Sequence, residues 1–170
     1  KKVYHAVVSG QFDDEITEID VGLAPDPKRK GLMKSYIKGK EAMTKVRLLE
    51  KFRVASLIEC VPITGRQHQI RVHLSAIGYP LFVDKDYGRQ EAFYLSSIKR
   101  RFKLAKNTEE SPLISTVPLH AKSLEFIHPF TMLQTLIESD YSREFSALLQ
   151  ILRKYSKVQE FNFEDILNFQ

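Results

Sequence analysis

The stretch Pro62–Pro80, PITGRQHQIRVHLSAIGYP, packs two arginines, two glutamines and two histidines into the eight residues Arg66–His73. A helical pattern runs through them: Ile70, Leu74 and Ile77 recur at i, i+4 and i+7, with Val72 and Ala76 nearby. Gly78 falls where a helix C′ residue belongs, and Pro80 lies just beyond it. The spacing predicts a helix over about Arg66–Ile77, its start fixed by Thr64-Gly65. At about 100° per residue, Gln67, Arg71 and Ser75 then share one polar line while the apolar residues face inward. A solvated helix face usually carries both signs of charge at i, i+4 spacing, yet no acid lies between Thr64 and Leu81. A positive helix end beside cations suits an anion, either a phosphate or a carboxylate.

Outward from this helix the chain alternates. Val3–Val8 is short and β-branched and reads as a strand, and Ile16–Gly22 gives a weaker strand signal. APDPKRKG, Ala24–Gly31, has two prolines, three cations and a glycine, as an exposed loop does. From Glu41, EAMTKVRLLEKF sets Ala42, Thr44, Val46 and Leu48 on one face, and VASLIECVP follows as its hairpin partner. Arg89–Thr116, with KRRFK at Lys99–Lys103, reads as a polar, basic excursion rather than core. VPLHAKSLEFIHP and TMLQTLIE are two further strands turning at Pro129. Tyr141, Phe145, Leu148, Leu149, Leu152 and Tyr155 trace a helical stripe, with Asp140 or Ser142 as N-cap.

At 170 residues, the chain has the size of one domain and can bury roughly 70% of its unfolded surface. Lys and Arg number 26 against 21 Asp and Glu, a net charge of +5, which favours polyanionic partners such as RNA. Apolar runs fall far short of the about 20 residues of a membrane span, so no membrane partner is expected. No signal peptide is visible at the start, and the lone Cys60 forms no disulfide within the chain, which fits a cytoplasmic protein. The chain opens on KKVYHAVVSG, already a strand, with no methionine before it, and is expected to be part of a longer protein.

Five histidines are scattered, and His68 and His73, at i, i+5, point to different faces; no His-x-x-x-His or Cys-x-x-Cys pair exists. No metal site is therefore expected. The nucleophile-elbow, P-loop and dinucleotide fingerprints are also missing. Asp84 and Asp86, in FVDKDYG, flank a turn-like segment and read as residues that close it. Tyr4, judged as a strand residue alone, is packing.

TGRQHQIRVHLSAIGYPLFVDKDYG closely resembles the signature of the RluA-type pseudouridine synthases, T-G-R-x-H-Q-[IL]-R-x-H followed by L-G-x-P-[IL]-x-G-D-x-x-Y-G. KKVYHAVVSG is similar to that family's K-x-Y-x-A-x-V-x-G strand, GKEAMT (Gly39–Thr44) to its G-K-x-A-x-T stretch, and PLHAKSLEFIHP to its L-H-A-x-x-L-x-F-x-H-P strand. The resemblance runs in order from Lys1 to about Pro129. Residues 140–170 are less diagnostic, and 87–116 resembles a longer insertion than usual. Val83 stands where the family has glycine before the aspartate.

The resemblance implies an α+β fold, a mixed, mainly antiparallel sheet flanked by helices, of which residues 1–170 supply about half of the catalytic domain and leave one sheet edge open. It implies an enzyme that isomerises uridine to pseudouridine in RNA without metal or cofactor, monomeric at full length. Large-subunit ribosomal RNA is the family's commonest target and transfer RNA the alternative. The family's nucleophilic aspartate lies in an R-L-D motif upstream of the K-x-Y strand; no R-L-D occurs in this chain, so residues 1–170 alone are expected to be inactive. Arg71 matches the arginine that pairs with that aspartate. Tyr4 matches the active-site tyrosine that stacks on the target base and is implicated in the final proton abstraction. Arg66, His68 and Gln69 match the remainder of the motif and are expected to contact RNA, as are Lys99, Arg100 and Arg101 of the insertion. A catalytically dead RNA-binding module of the same fold is the alternative reading.

Overall fold

The computed structural model describes residues 1–105 and 108–158. Eight strands and two helices follow in the order β1 (Lys2–Ser9), β2 (Glu18–Asp20), β3 (Leu23–Pro25), β4 (Met33–Ser35), β5 (Met43–Lys51), β6 (Ala55–Pro62), α1 (Gln69–Ala76), β7 (Leu119–Ile127), β8 (Gln134–Glu138) and α2 (Arg143–Tyr155). Six strands form one sheet in the order β2-β5-β6-β1-β7-β8, and every neighbouring pair is antiparallel. β3 and β4 pair separately as a small hairpin.

The period-2 alternation of β1 divides the core. Ala6 and Val8 pack with Ile58, Ile70 and Leu74 on the α1 face. Val7 packs with Phe145, Leu148, Leu149 and Leu152 on the α2 face. Leu148, Leu149 and Leu152 are all but fully buried, and each such leucine contributes about 1.5–3 kcal/mol. Ser142 supplies the N-cap of α2, its side chain accepting the Phe145 N–H at 3.2 Å; of the two cap candidates in the sequence it is the one used. The expected face of β5 holds through Leu48, which packs beside Val46 on the α1 side, and the register shifts between Leu48 and Glu50, with Leu49 on the α2 face.

Three expectations are corrected. The strand expected over Ile16–Gly22 shrinks to the three residues of β2. The segment 89–116 is not wholly an excursion, because Phe93, Ile98 and Ile114 are buried in the α2-side core. Helix α1 begins at Gln69 rather than Arg66, because His68 has φ 54°, a left-handed conformation that a right-handed helix cannot contain. Its other end is as expected, with Gly78 at φ 86°. Val83, where glycine was the family pattern, is buried in the core and is not among the described residues with positive φ. Among the described residues the sheet ends in β2 on one side and β8 on the other, and the β7–β8 hairpin leaves Phe130, Met132, Leu133, Leu136 and Ile137 exposed. The tail 159–170 lies outside the described residues.

Candidate active site

Two of the polar residues of the Arg66–His73 run turn inward and build the scaffold of the site. The Gln69 amide nitrogen donates to the Met43 carbonyl at 2.9 Å and to Thr44 Oγ1 at 3.0 Å. Its amide oxygen accepts the Thr64 hydroxyl at 2.8 Å and the Arg66 N–H at 2.9 Å. Thr44 passes the chain on to His73 Nδ1 at 3.0 Å, and His73 Nε2 meets the Val21 carbonyl at 2.9 Å. A carbonyl only accepts, so Nε2 carries the proton and Nδ1 accepts from Thr44. The expected RNA contact of Gln69 is therefore corrected: the residue is buried, and both ends of its amide hold the turn before α1 against β5. Replacing Gln69 with leucine keeps the bulk but strands the Arg66 N–H and the Thr64 hydroxyl, and is expected to cost about 2–4 kcal/mol in urea unfolding. A loss under about 0.5 kcal/mol, the usual scatter of a surface change, would refute that role.

Burial lowers the pKa of His73 despite its bond to the Val21 carbonyl. The fold thus keeps His73 neutral while the unfolded chain titrates near 6.5. Its contribution is present above about pH 6.5 and is lost as pH falls through the lower folded value. Melting temperatures taken downward from pH 7 should decline in the wild type and decline less in His73→Gln; equal slopes would exclude this histidine as the source.

Arg71 leaves α1 on the other side. Its Nε donates to Asp84 Oδ2 at 2.8 Å, and its Nη2 to Asp84 Oδ1 and Asp86 Oδ2, both at 2.7 Å. Asp84 also accepts the backbone N–H groups of Asp86 and Tyr87 at 3.0 and 3.1 Å, so it closes its turn as expected while holding the arginine. Burial works to raise the Asp84 pKa, but the Arg71 guanidinium and the two N–H donors outweigh it and hold it below the usual carboxylate range. Hydrogen bonding to Asp84 raises the Arg71 pKa. The turn requires Gly88, where a Cβ would lie 2.5 Å from the Asp84 carbonyl oxygen. Sequence reasoning missed this clamp, looking for acids within the helix when they arrive 13 and 15 residues after Arg71, at 84 and 86. Among the described residues Nη1 of Arg71 has no hydrogen-bond acceptor.

Arg71, Arg66, His68 and Tyr4 meet in one open cleft of about 340 Å³, together with Lys2, Ile70 and Leu119. Tyr4 comes from the middle of β1, opposite Cys60 on β6 and Ala121 on β7, and is half-buried. Its hydroxyl has no partner among the described residues. Arg66 is exposed at the rim, with Nε on the Glu41 carbonyl at 2.9 Å. His68 Nδ1 lies 2.8 Å from the Tyr87 hydroxyl, which also accepts the Met33 N–H. Gln67 does not line up with Arg71; outside the helix, it reaches the Gly31 carbonyl at 3.2 Å. Lys99, Arg100 and Arg101 do not join this cleft. They follow Ile98, which is buried on the α2 face, and Lys99 lies over Tyr155 of α2 at 5.9 Å.

Residues 1–76 match the family model described as RNA pseudouridylate synthase. The ribosomal large subunit pseudouridine synthase C of Buchnera aphidicola is 35% identical over 154 residues, 89% of this chain and 45% of that protein. The synthase C of Escherichia coli is 31% identical over 90% of this chain and 45% of its own length, and the synthase D of Nitrosomonas europaea 34% over 90% and 41%. The chain thus spans less than half the length of these relatives. Among solved structures, human RNA pseudouridylate synthase domain containing 4 superposes with a TM-score of 0.62 at 22% identity, over 94% of this chain and 64% of that one. Human RNA pseudouridylate synthase domain containing 1 gives 0.61 at 21%, over 98% and 63%.

Proposed function

We propose, from the match of residues 1–76 to the RNA pseudouridylate synthase model and the likeness in sequence and fold to such synthases, that the protein containing this chain isomerises uridine to pseudouridine in large-subunit ribosomal RNA. The reaction exchanges the bond from C1′ to N1 of the base for one to C5; the C5 proton leaves to a base and N1 takes up a proton, so that the product is an isomer. Arg71 would align the nucleophilic aspartate through Nη1, the one guanidinium nitrogen that the Asp84–Asp86 clamp does not occupy. Tyr4 would lie against the base, its hydroxyl near the proton to be removed. Arg66 and His68 would contact RNA at the rim. The target nucleotide has to leave its stack to reach such a cleft, and an aromatic floor recovers part of that cost.

What carries the reading is the convergence of Tyr4 and Arg71, 67 positions apart in sequence, on one cleft. Its test is a map of pseudouridines in ribosomal and transfer RNA from cells with and without the full-length gene; loss of a ribosomal site supports it, and an unchanged map overturns it. Residues 1–170 alone hold no R-L-D aspartate and are expected to convert no uridine; turnover by this stretch would mean that the nucleophile lies within it. One observation favours the second reading, a catalytically dead RNA-binding module: Arg71 already holds two carboxylates of its own chain, so it has a structural reason to be there without a nucleophile. An R-L-D motif in the full-length sequence ahead of Lys1 decides for the enzyme, and its absence for the module.

A further inference from the structure

Six cations occur between Lys28 and Lys40, and no acid lies between 27 and 40. They sit on the β3–β4 hairpin and the loop after it. Only Arg29 is neutralised, by Asp26 at 2.8 Å; Lys28, Lys30, Lys34, Lys38 and Lys40 have no carboxylate partner among the described residues. An ordinary solvated surface intersperses both signs, because a one-signed cluster repels itself. Asp20 and Glu41 share a hollow with Ile37 and Gly39 of the arm. Within the cluster Tyr36 is 44% exposed and Ile37 91% exposed, and the Lys34 ammonium lies 5.3 Å from the Tyr36 ring.

This arm is fastened to the candidate cleft rather than hanging from the sheet. Arg29 Nη1 donates to the Asp86 carbonyl at 2.7 Å, beside the Arg71 clamp. The Met33 N–H donates to the Tyr87 hydroxyl that His68 also meets. Gln67 holds Gly31, and Arg66 holds Glu41 at the arm's other end. Four bonds therefore tie the basic arm to the rim formed by Arg66–His68 and Asp84–Tyr87. Charge, exposed aromatic surface and a fixed distance from the cleft fit a nucleic-acid backbone with an unstacked base beside it.

We propose that the Lys28–Lys40 arm holds the phosphates of the RNA strand flanking the target nucleotide, with Tyr36 stacking on a neighbouring base. This rests on the RNA-modifying reading above and assigns the flanking contact to this arm instead of to Lys99–Arg101. The test is fluorescence anisotropy of a labelled RNA hairpin with a uridine-containing loop, titrated with full-length protein over a series of salt concentrations. Each lost phosphate contact flattens the slope of log affinity against log salt by about 0.7–0.9. The variant K28Q/K30Q/K34Q/K38Q should flatten it by about 3 and weaken low-salt binding by at least about tenfold. Tyr36→Ala should weaken binding about tenfold with the slope kept. The variant K99Q/R100Q/R101Q should leave both quantities alone. An unchanged slope in the quadruple variant overturns the proposal, as does an equal change in the Lys99–Arg101 variant. Displacement of the RNA by polyglutamate at equal charge concentration would make the arm a dock for acidic protein and overturn it too. Pseudouridine formation by the wild type, assayed in parallel, separates a failure of the arm from a failure of the reading on which it rests.

Discussion

Arg71→Ala in the full-length protein is expected to abolish pseudouridine formation and to destabilise the fold together. The stability loss follows from Asp84, whose side chain is fully buried against a guanidinium that is itself largely enclosed. Removing one partner of such a pair leaves an uncompensated buried charge and costs on the order of 3–5 kcal/mol. Two backbone N–H donors remain on Asp84, which favours the lower end of that range. The loss of turnover follows separately from Nη1, the nitrogen left for an incoming carboxylate. Arg71→Lys divides the two effects, since an ammonium can neutralise Asp84 but cannot bond Asp84, Asp86 and a third acceptor through a planar fork. Turnover should stay near zero in Arg71→Lys while urea unfolding recovers part of the stability. Wild-type turnover in either variant would leave the clamp as the whole reason for Arg71.

Tyr4→Phe is expected to lower turnover by about 10²–10⁴, the range for loss of a general acid or base. Phenylalanine keeps the aromatic face in the cleft, so RNA affinity should change little. No hydrogen bond within the described residues is broken, because the Tyr4 hydroxyl has no partner there, and stability should hold as well. A fall in rate with intact binding and intact folding can then be attributed to the hydroxyl itself. Should turnover persist in Tyr4→Phe and vanish only in Tyr4→Ala, the residue is a stacking surface and the proton goes elsewhere.

The strands were the most legible part of the sequence, for a physical reason. β1 and β6 send successive side chains to the two core faces, and β5 buries Thr44 and Val46 in alternation with exposed Lys45 and Arg47, so their pattern of apolar residues is their structure. The start of α1 was not legible, because the polar letters of RQHQ do not reveal which of them face inward. Gln69 and His73 do so because Thr44, Met43 and Val21 offer partners on a distant strand, and no local pattern records that. The pairing of Arg71 with Asp84 and Asp86 was hidden in the same way, although an arginine-bearing helix without acids, followed at once by D-x-D, is a signal worth reading. Phe93, Ile98 and Ile114 were masked by the lysines and arginines around them. Motif order brought Tyr4 and Arg71 together on paper, whereas periodicity alone made Tyr4 a packing residue.

β1 runs between β6 and β7 and is covered by α1 on one side and α2 on the other. Its amide protons should therefore exchange with solvent only when the whole domain opens, since no local fraying reaches the centre of a six-stranded sheet. Tyr4 inherits that stillness at its backbone, and its ring alone is left to rotate. The opposite wall of the cleft is built differently: residues 64–68 form a solvent-facing turn held by side-chain bonds, and such turns open at far lower free energy. Any accommodation of an incoming nucleotide thus falls to the Thr64–His68 wall, closing against a floor that does not move.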